Sequence, residues 1–319
     1  MPPTALPPIS TNGCAPERTE DTMLAPAIKT GLTNALTIDV EDYFQVSAFA
    51  PYIRRDEWDS RECRIERNVN RILDMLAGRS VKATFFTLGW VADRYPQVVR
   101  RIVAEGHELA SHGYGHERAS DLTEAAFTAD VTRAKKLLED IAGAPVLGYR
   151  APSFSIGTGN LWAFDVLART GHRYSSSSIY PIQHDHYGMP DSPRFAYKLG
   201  SGLLEVPVTT LRLGKRNLPS SGGGYFRLLP YAVSRWMIKR VNREDRESAV
   251  FYFHPWEIDP GQPRVAGINA KTRFRHYVNI ARTEPRLHSL LADFRWGRMD
   301  HIFLPPQAAG VGAPAGAAR

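Results

Sequence analysis

From Asn34 to Leu304, short runs of β-branched and aromatic residues alternate with stretches whose apolar residues recur at helical spacing. The run "NALTID" (34–39) predicts a buried strand, and Ile65, Val69, Ile72, Leu73 and Leu76 then mark one face of a helix. A second strand follows at "KATFFTLG" (82–89), then a helix near 97–104 and the short segment "HELASH" (107–112). Phe127, Val131, Ala134, Leu137, Leu138 and Ile141 line one face of a long helix near 123–142. "VLGYR" (146–150), a helix near 160–170, "GLLEVPV" (202–208), a helix near 230–241 and the apolar "AVFYFHP" (249–255) continue the series. A helical stretch near 275–293 and "MDHIFL" (299–304) close it. Repeated βα units of this kind predict an α/β fold, either a (β/α) barrel or a doubly wound sheet. In a barrel the chemistry gathers at the C-terminal ends of the strands.

Residues 1–30 and 305–319 are poor in large apolar residues and read as flexible tails. With 319 residues, 43% of them hydrophobic, the remainder suffices for one large domain or two smaller ones. Cys14 and Cys63 are the only cysteines, which excludes a disulfide framework or a cysteine zinc site. No apolar run reaches the roughly 18 residues of a membrane span. The first residues lack a basic region followed by an apolar core. The expectation is therefore a protein that is cytoplasmic or peripheral to the inner membrane.

The formal charge is +7, and Arg212 to Arg246 holds nine basic residues against Glu244 and Asp245. Such a segment is a solvated helix face or a surface that attracts an anionic glycan or anionic lipids. No nucleic-acid module accompanies it, so no nucleic-acid partner is expected. "SSGGG" (220–224) reads as a flexible loop, since neither phosphate-binding glycine motif is present. Tyr180, His184, His186 and Tyr187 form an aromatic, imidazole-rich loop able to stack on sugars.

Several expected strand ends carry polar residues. Asp39-Val40-Glu41-Asp42 sets three carboxylates in four positions. This is a solvated acidic loop or a helix cap, or a base beside a metal ligand whose cation offsets the repulsion. Alternation puts Asp39 and Glu41 on the same side of an extended chain. His112 and His116 lie four apart, close enough to share one ion, although such a pair alone also fits a surface or capping role. Arg150 follows "VLGY", and His254 ends "AVFYF" directly before Pro255.

Taken together, "LTIDVED", "KATFFTLG", "GHELASHGYGH", "GYRAPSFS" and "FYFHPWE" resemble the polysaccharide deacetylases of the NodB-homology type, the metal-dependent esterases of carbohydrate esterase family 4. The resemblance implies a distorted (β/α) barrel of about seven strands over 31–260, with 261–304 as an extension packing on it. It further implies a divalent metal, usually Zn2+, held by His112, His116 and a carboxylate. Glu41 fits relatives with a D-x-D pattern, and Asp42 is the more usual ligand type. Asp39 matches the catalytic base, Arg150 the arginine that orients it, and His254 the catalytic acid. The family's aspartate-rich fourth motif is not evident near 174–187, which leaves the remaining charge partner of Arg150 unidentified.

The wording "TIDVEDYFQ", "SSSSIYP" and "FHPWEIDP" is similar to a subgroup associated with exosortase/PEP-CTERM loci of exopolysaccharide biosynthesis. The implied activity is removal of N-acetyl groups from amino sugars of a polysaccharide or oligosaccharide. Metal and a backbone N–H after Asp39 would stabilise the oxyanion, and the protein would associate with glycan-biosynthesis machinery at the membrane. The alternatives are hydrolysis of a small cyclic amide or ureide on the same barrel, and a non-catalytic glycan-binding subunit. Trp256 and Glu257, next to His254, would position it or plug the core.

Overall fold

The computed structural model describes residues 31–178 and 192–305. Residues 1–30 and 306–319 and the loop bearing Tyr180, His184, His186 and Tyr187 lie outside the described residues. One nine-stranded sheet organises the fold. Its strands are β1 (Thr33–Val40), β2 (Thr84–Thr87), β3 (Glu108–Ser111), β4 (Gly148–Tyr149), β5 (Tyr174–Ser175), β6 (Tyr197–Lys198), β7 (Leu204–Glu205), β10 (Val250–Phe253) and β11 (Arg295–Gly297). A separate hairpin is formed by β8 (Thr210–Leu213) and β9 (Arg216–Pro219).

The strands β10-β1-β2-β3-β4-β5-β7 run parallel in that order; β6 closes the far edge antiparallel, and β11 pairs with the start of β1. The sheet curls into a half-barrel, in keeping with the expected α/β barrel of about seven strands. Parallel strands covered on both faces read as continuous apolar runs, and β1 is buried along nearly its whole length. Helices α1 (Ile65–Ala77), α2 (Gly89–Arg94), α3 (Pro96–Ala104), α4 (Glu124–Ala142) and α5 (Trp162–Arg169) occupy the crossovers. The predicted α1 stripe, from Ile65 to Leu76, is wholly buried against β1, β2 and β10.

The C-terminal half departs from a simple repeat. After β9 come α6 (Gly223–Leu228) and α7 (Tyr231–Arg240), and after β10 come α8 (Ala270–Tyr277), α9 (Ile280–Asp293) and α10 (Met299–Phe303). "MDHIFL" is thus mostly helix, and the last strand is β11 just before it. The single helical stretch expected near 275–293 is two helices meeting at Asn279, whose left-handed backbone breaks the run. "SSGGG" is no flexible loop. Tyr252 N donates to Ser221 O (2.7 Å), covering the free edge of β10, and these residues are buried up to Gly223. A Cβ on Gly222 would stand 1.9 Å from Tyr252 O, so the close approach requires glycine.

Sheet register sets the site. Val40 pairs with Thr87, Thr87 with Ser111, Ser111 with Tyr149, and Tyr149 with Ser175. The next residue along each strand, Glu41, Leu88, His112, Arg150 and Ser176, therefore stands in one layer at the C-terminal rim. On the other side Ile38 pairs with Phe253, which sets Asp39 beside His254.

Candidate active site

Asp39, Glu41, His112, His116, Arg150 and His254 converge at this rim, and all but His116 and His254 are at least nine-tenths buried. Thr37, Asp39 and Glu41 project to one side of β1, as alternation predicts. Arg150, fully buried, donates through Nη1 to Asp39 Oδ1 (2.6 Å) and Thr37 Oγ1 (2.7 Å). Its Nη2 donates to Ser176 Oγ (2.9 Å) and its Nε to the Ser176 carbonyl (3.2 Å). The guanidinium also lies 4.1 Å from the Phe86 ring centroid. Among the described residues, the second partner of Arg150 is thus a serine rather than another carboxylate.

Glu41 Oε2 stands 2.5 Å from His116 Nε2 and 4.0 Å from His112 Nε2. His112 Nδ1–H donates to the Arg150 carbonyl (2.8 Å), which fixes the tautomer and leaves the Nε2 lone pair facing Glu41. One ligand atom from each of these three residues falls within 4.8 Å of the others, so Glu41, His112 and His116 form a possible metal site. The donor set suits a divalent ion: one anionic oxygen and two neutral imidazole nitrogens, with coordination positions to spare. Burial holds the His112 imidazole down to about 4, so it stays neutral and able to ligate. Burial alone would raise Glu41, but His116, His254 and His112 outweigh it and hold the carboxyl below its ordinary range.

Asp42, the other carboxylate expected as a ligand, points away from this cluster. Its Oδ1 accepts from Tyr43 N (2.7 Å) and its Oδ2 from Arg64 N (2.5 Å), making it the cap of the 3-10 turn Tyr43–Gln45. The physical reason is local. The strand ends at Val40, and the capping box with Gln45 holds Asp42 at the turn while Glu41 keeps the inward parity of β1. The same turn occupies the amides expected to bind an oxyanion, since Glu41 N, Asp42 N and Tyr43 N donate to Asp39 O, Gln45 Oε1 and Asp42 Oδ1.

His254 Nε2 lies 3.9 Å from Asp39 Oδ2 and 3.5 Å from Glu41 Oε1. Its Nδ1 donates to Glu257 Oε1 (2.5 Å), and Arg227 Nε holds the other oxygen of Glu257 (2.8 Å). Burial opposes charge on His254, but Glu41, Glu257 and Asp39 outweigh it and lift the imidazole to about 9. Trp256 stacks on the His254 ring (centroids 5.2 Å apart, 18° between planes) and is itself stacked by His276. Trp256 and Glu257 therefore both hold His254. Thr37 and Ser176 escaped the sequence reading. Thr37 shares the parity of Asp39, whereas the two-residue β5 is too short to give Ser176 a periodic signal.

A groove of about 520 Å³ leads away from His116 between residues 44–58 and 115–122, with Phe44, Trp58, Arg54, Arg55 and Arg118 among its walls.

Residues 56–174 match the polysaccharide deacetylase family model, and residues 177–304 match a domain of unknown function, DUF3473. His112, His116 and Arg150 fall in the first match and His254 in the second, while Asp39 and Glu41 precede both. A peptidoglycan-N-acetylglucosamine deacetylase of Bacillus cereus is 37% identical over 73 residues, 23% of this chain and 26% of that protein. A chitin deacetylase of Pestalotiopsis sp. is 33% identical over 121 residues, 37% and 39% of the two chains. A chitooligosaccharide deacetylase of Bradyrhizobium sp. is 32% identical over 143 residues, 45% and 63%. The matched stretches thus span between about a quarter and under two thirds of these relatives. A solved structure of a candidate polysaccharide deacetylase from Mycobacterium smegmatis superposes with a TM-score of 0.57 at 22% identity, covering 87% of this chain and 93% of that one.

Proposed function

We propose that this chain, whose residues 56–174 match the polysaccharide deacetylase family model, is a metal-dependent hydrolase that removes N-acetyl groups from amino sugars of a polysaccharide or oligosaccharide. The observation that carries the proposal is the meeting, at one strand rim, of the Glu41-His112-His116 cluster with two proton-transfer groups, Asp39 and His254. A pure glycan binder has no use for that combination.

A divalent ion held by Glu41, His112 and His116, zinc in this proposal, supplies Lewis acidity that polarises the acetamide carbonyl and acidifies water. Asp39 is the base. Arg150 occupies its Oδ1, so Oδ2 is the oxygen free to take a proton as water oxygen bonds to the carbonyl carbon. His254 is the acid. Glu257 accepts from Nδ1, so the proton on Nε2 points toward Asp39 and Glu41 and is available to the amide nitrogen as the C–N bond breaks. An amine leaves poorly without that proton, and the products are acetate and a free amino sugar.

The groove leading from His116 supports an extended substrate over a small cyclic amide. The narrower assignment, to exopolysaccharide biosynthesis beside membrane-associated glycan machinery, rests on the wording of "TIDVEDYFQ" and "FHPWEIDP". The test is acetate release from N-acetylglucosamine oligomers and extracted exopolysaccharide, comparing metal-stripped protein with protein reloaded with zinc. Zinc-dependent release supports the reading. Its absence from both glycans, with zinc binding verified, overturns it.

A further inference from the structure

Two stretches of the C-terminal half contain no acidic residue at all. Residues 206–243 hold eight Lys and Arg, residues 260–283 hold five, and neither holds Asp or Glu, in a chain with 33 acids. Buried Arg227 pairs with Glu257, Arg235 with Asp293 and Arg240 with Glu244. Lys215, Arg216, Lys239, Arg243, Arg273 and Arg275 are among the cations in these stretches with no acidic partner among the described residues.

The same stretches carry four of the six large hydrophobic side chains that the described residues leave exposed: Tyr225, Leu228, Trp236 and Phe274. On α6, Tyr225 and Leu228 are three apart and share a face. On α7 and the turn after it, Trp236, Lys239 and Arg243 follow at three- and four-residue spacing, with Arg240 5.7 Å from the Trp236 ring. The opposite face of α7, Met237 with Val233 and Val241, is spent on the hairpin residues Leu211, Leu213 and Leu218. Arg227 reaches from α6 to the carbonyls of His276 and Val278 at the end of α8, and Asn279 Nδ2 returns a bond to Arg227 O (2.9 Å). The hairpin, α7, α6 and α8 are therefore consecutive neighbours, and the outward side chains they leave over are cations and apolar groups.

We propose that this α6–α7–α8 surface docks on an anionic lipid bilayer. The cations match the charge of phosphate headgroups, and Leu228, Trp236 and Phe274 are groups whose exposure to water is relieved only where hydrocarbon lies beneath the headgroups. A soluble polyanion would satisfy the cations and leave Leu228 in water, which is why a lipid surface is the better occupant. No helix among the described residues is long and apolar enough to cross a membrane, and surface docking requires none. Docking itself does not depend on the deacetylase reading; only the activity control in the test below rests on it, and vesicle binding is read separately from that control.

The test is co-sedimentation of the full chain with vesicles of equal parts phosphatidylglycerol and phosphatidylcholine, against pure phosphatidylcholine. Binding is expected only to the anionic vesicles and weakens with added salt. Reversing two cations, Lys239→Glu with Arg243→Glu, lowers partitioning at least tenfold, since each cation near the surface contributes roughly fivefold. Leu228→Ser with Trp236→Ser also lowers it, while acetate release from a soluble oligomer stays at the parent rate in both variants. Absence of binding to anionic vesicles at low salt overturns the proposal. So does binding that falls with the charge variant but not with Leu228→Ser/Trp236→Ser, which would mark a site for a soluble acidic polymer instead.

Discussion

Arg150 Nη1 lies 2.6 Å from Asp39 Oδ1, with both groups shut away from solvent. This contact occupies one Asp39 oxygen and leaves Oδ2 as the one a proton could reach under the proposed mechanism, and it neutralises a carboxylate that burial would otherwise penalise. Removing the arginine strands that charge, so Arg150→Met is expected to destabilise the fold by about 3–5 kcal/mol and to abolish acetate release. Arg150→Lys keeps the charge but cannot also reach Ser176 with a planar fork, and it should recover stability more than activity. Thermal unfolding and turnover measured on both variants check the split.

The two neighbouring carboxylates should separate cleanly by metal content. Glu41→Gln leaves His112 and His116 without their anionic partner and should lower bound zinc well below one per chain. Asp42→Asn should keep its zinc and lose only part of the cap, about 1 kcal/mol of stability. Metal analysis after dialysis, beside an unfolding curve, reads both. Zinc lost from Asp42→Asn but kept in Glu41→Gln would reverse the ligand assignment.

Proton transfer is tested apart from metal binding. His112→Ala should lose zinc and activity together, whereas Asp39→Asn should retain zinc and lose most turnover. Glu257→Gln leaves His254 in place but weakens the group that orients its Nδ1–H. A loss of roughly ten- to a hundredfold in kcat with KM little changed is expected. An unchanged kcat in Glu257→Gln would show that His254 needs no such support.

Most of the rim was legible because parallel strands bring the residue after each apolar run to one end of the sheet. "ALTI", "FFT" and "VFYF" announce their strands and so place Asp39 and His254 at strand ends, whereas His112 stood out by its four-residue spacing to His116 rather than by a strand signal. The choice between Glu41 and Asp42 was not legible, since it turns on where β1 stops and on Gln45 completing a capping box three residues later. Ser176 was hidden for another reason: β5 has two residues, and its place beside Arg150 follows from pairing with β4, a contact between segments 26 residues apart. The β8–β9 hairpin and α6 likewise owe their form to packing on α7 and β10, which no local period records.

Acid should loosen the fold through His107. Its Nδ1 accepts from Ala83 N (3.1 Å) and it is almost fully buried, so burial, with Lys82 and Arg298 adding to it, pulls the imidazole down to about 4. The unfolded chain takes up the proton near pH 6.5 and the folded chain does not, so stability is lost as pH falls from about 6.5 to about 4, on the order of 3 kcal/mol in all. The neighbouring Glu108, raised to about 7 mainly by burial, works in the opposite sense across pH 4.5 to 7, so the wild-type curve alone does not isolate the histidine. His107→Asn does, because the amide oxygen can accept from Ala83 N without titrating. Urea unfolding at pH 7 and pH 5 should show a less unfavourable change on acidification for His107→Asn than for the parent, and equal changes would rule His107 out as the source.

Gly148 owes its place to a neighbour rather than to its backbone. A Cβ there would stand 2.1 Å from Tyr174 Cζ, and the tyrosine has nowhere to go: its ring is fully buried and its hydroxyl donates to Glu108 Oε1 (2.8 Å). Gly148→Ala must therefore push β4 and β5 apart, at a cost of about 1–3 kcal/mol or more. The strain falls two residues before Arg150 and two before Ser176, so the guanidinium that ties these strands to Asp39 shifts with it. The expected result is a lowered melting temperature together with a loss of turnover larger than the fraction unfolded explains. The double variant Gly148→Ala/Tyr174→Phe checks the cause. Removing the hydroxyl frees the ring to tilt, and it should return part of the activity if the contact with Tyr174 is what Gly148 avoids.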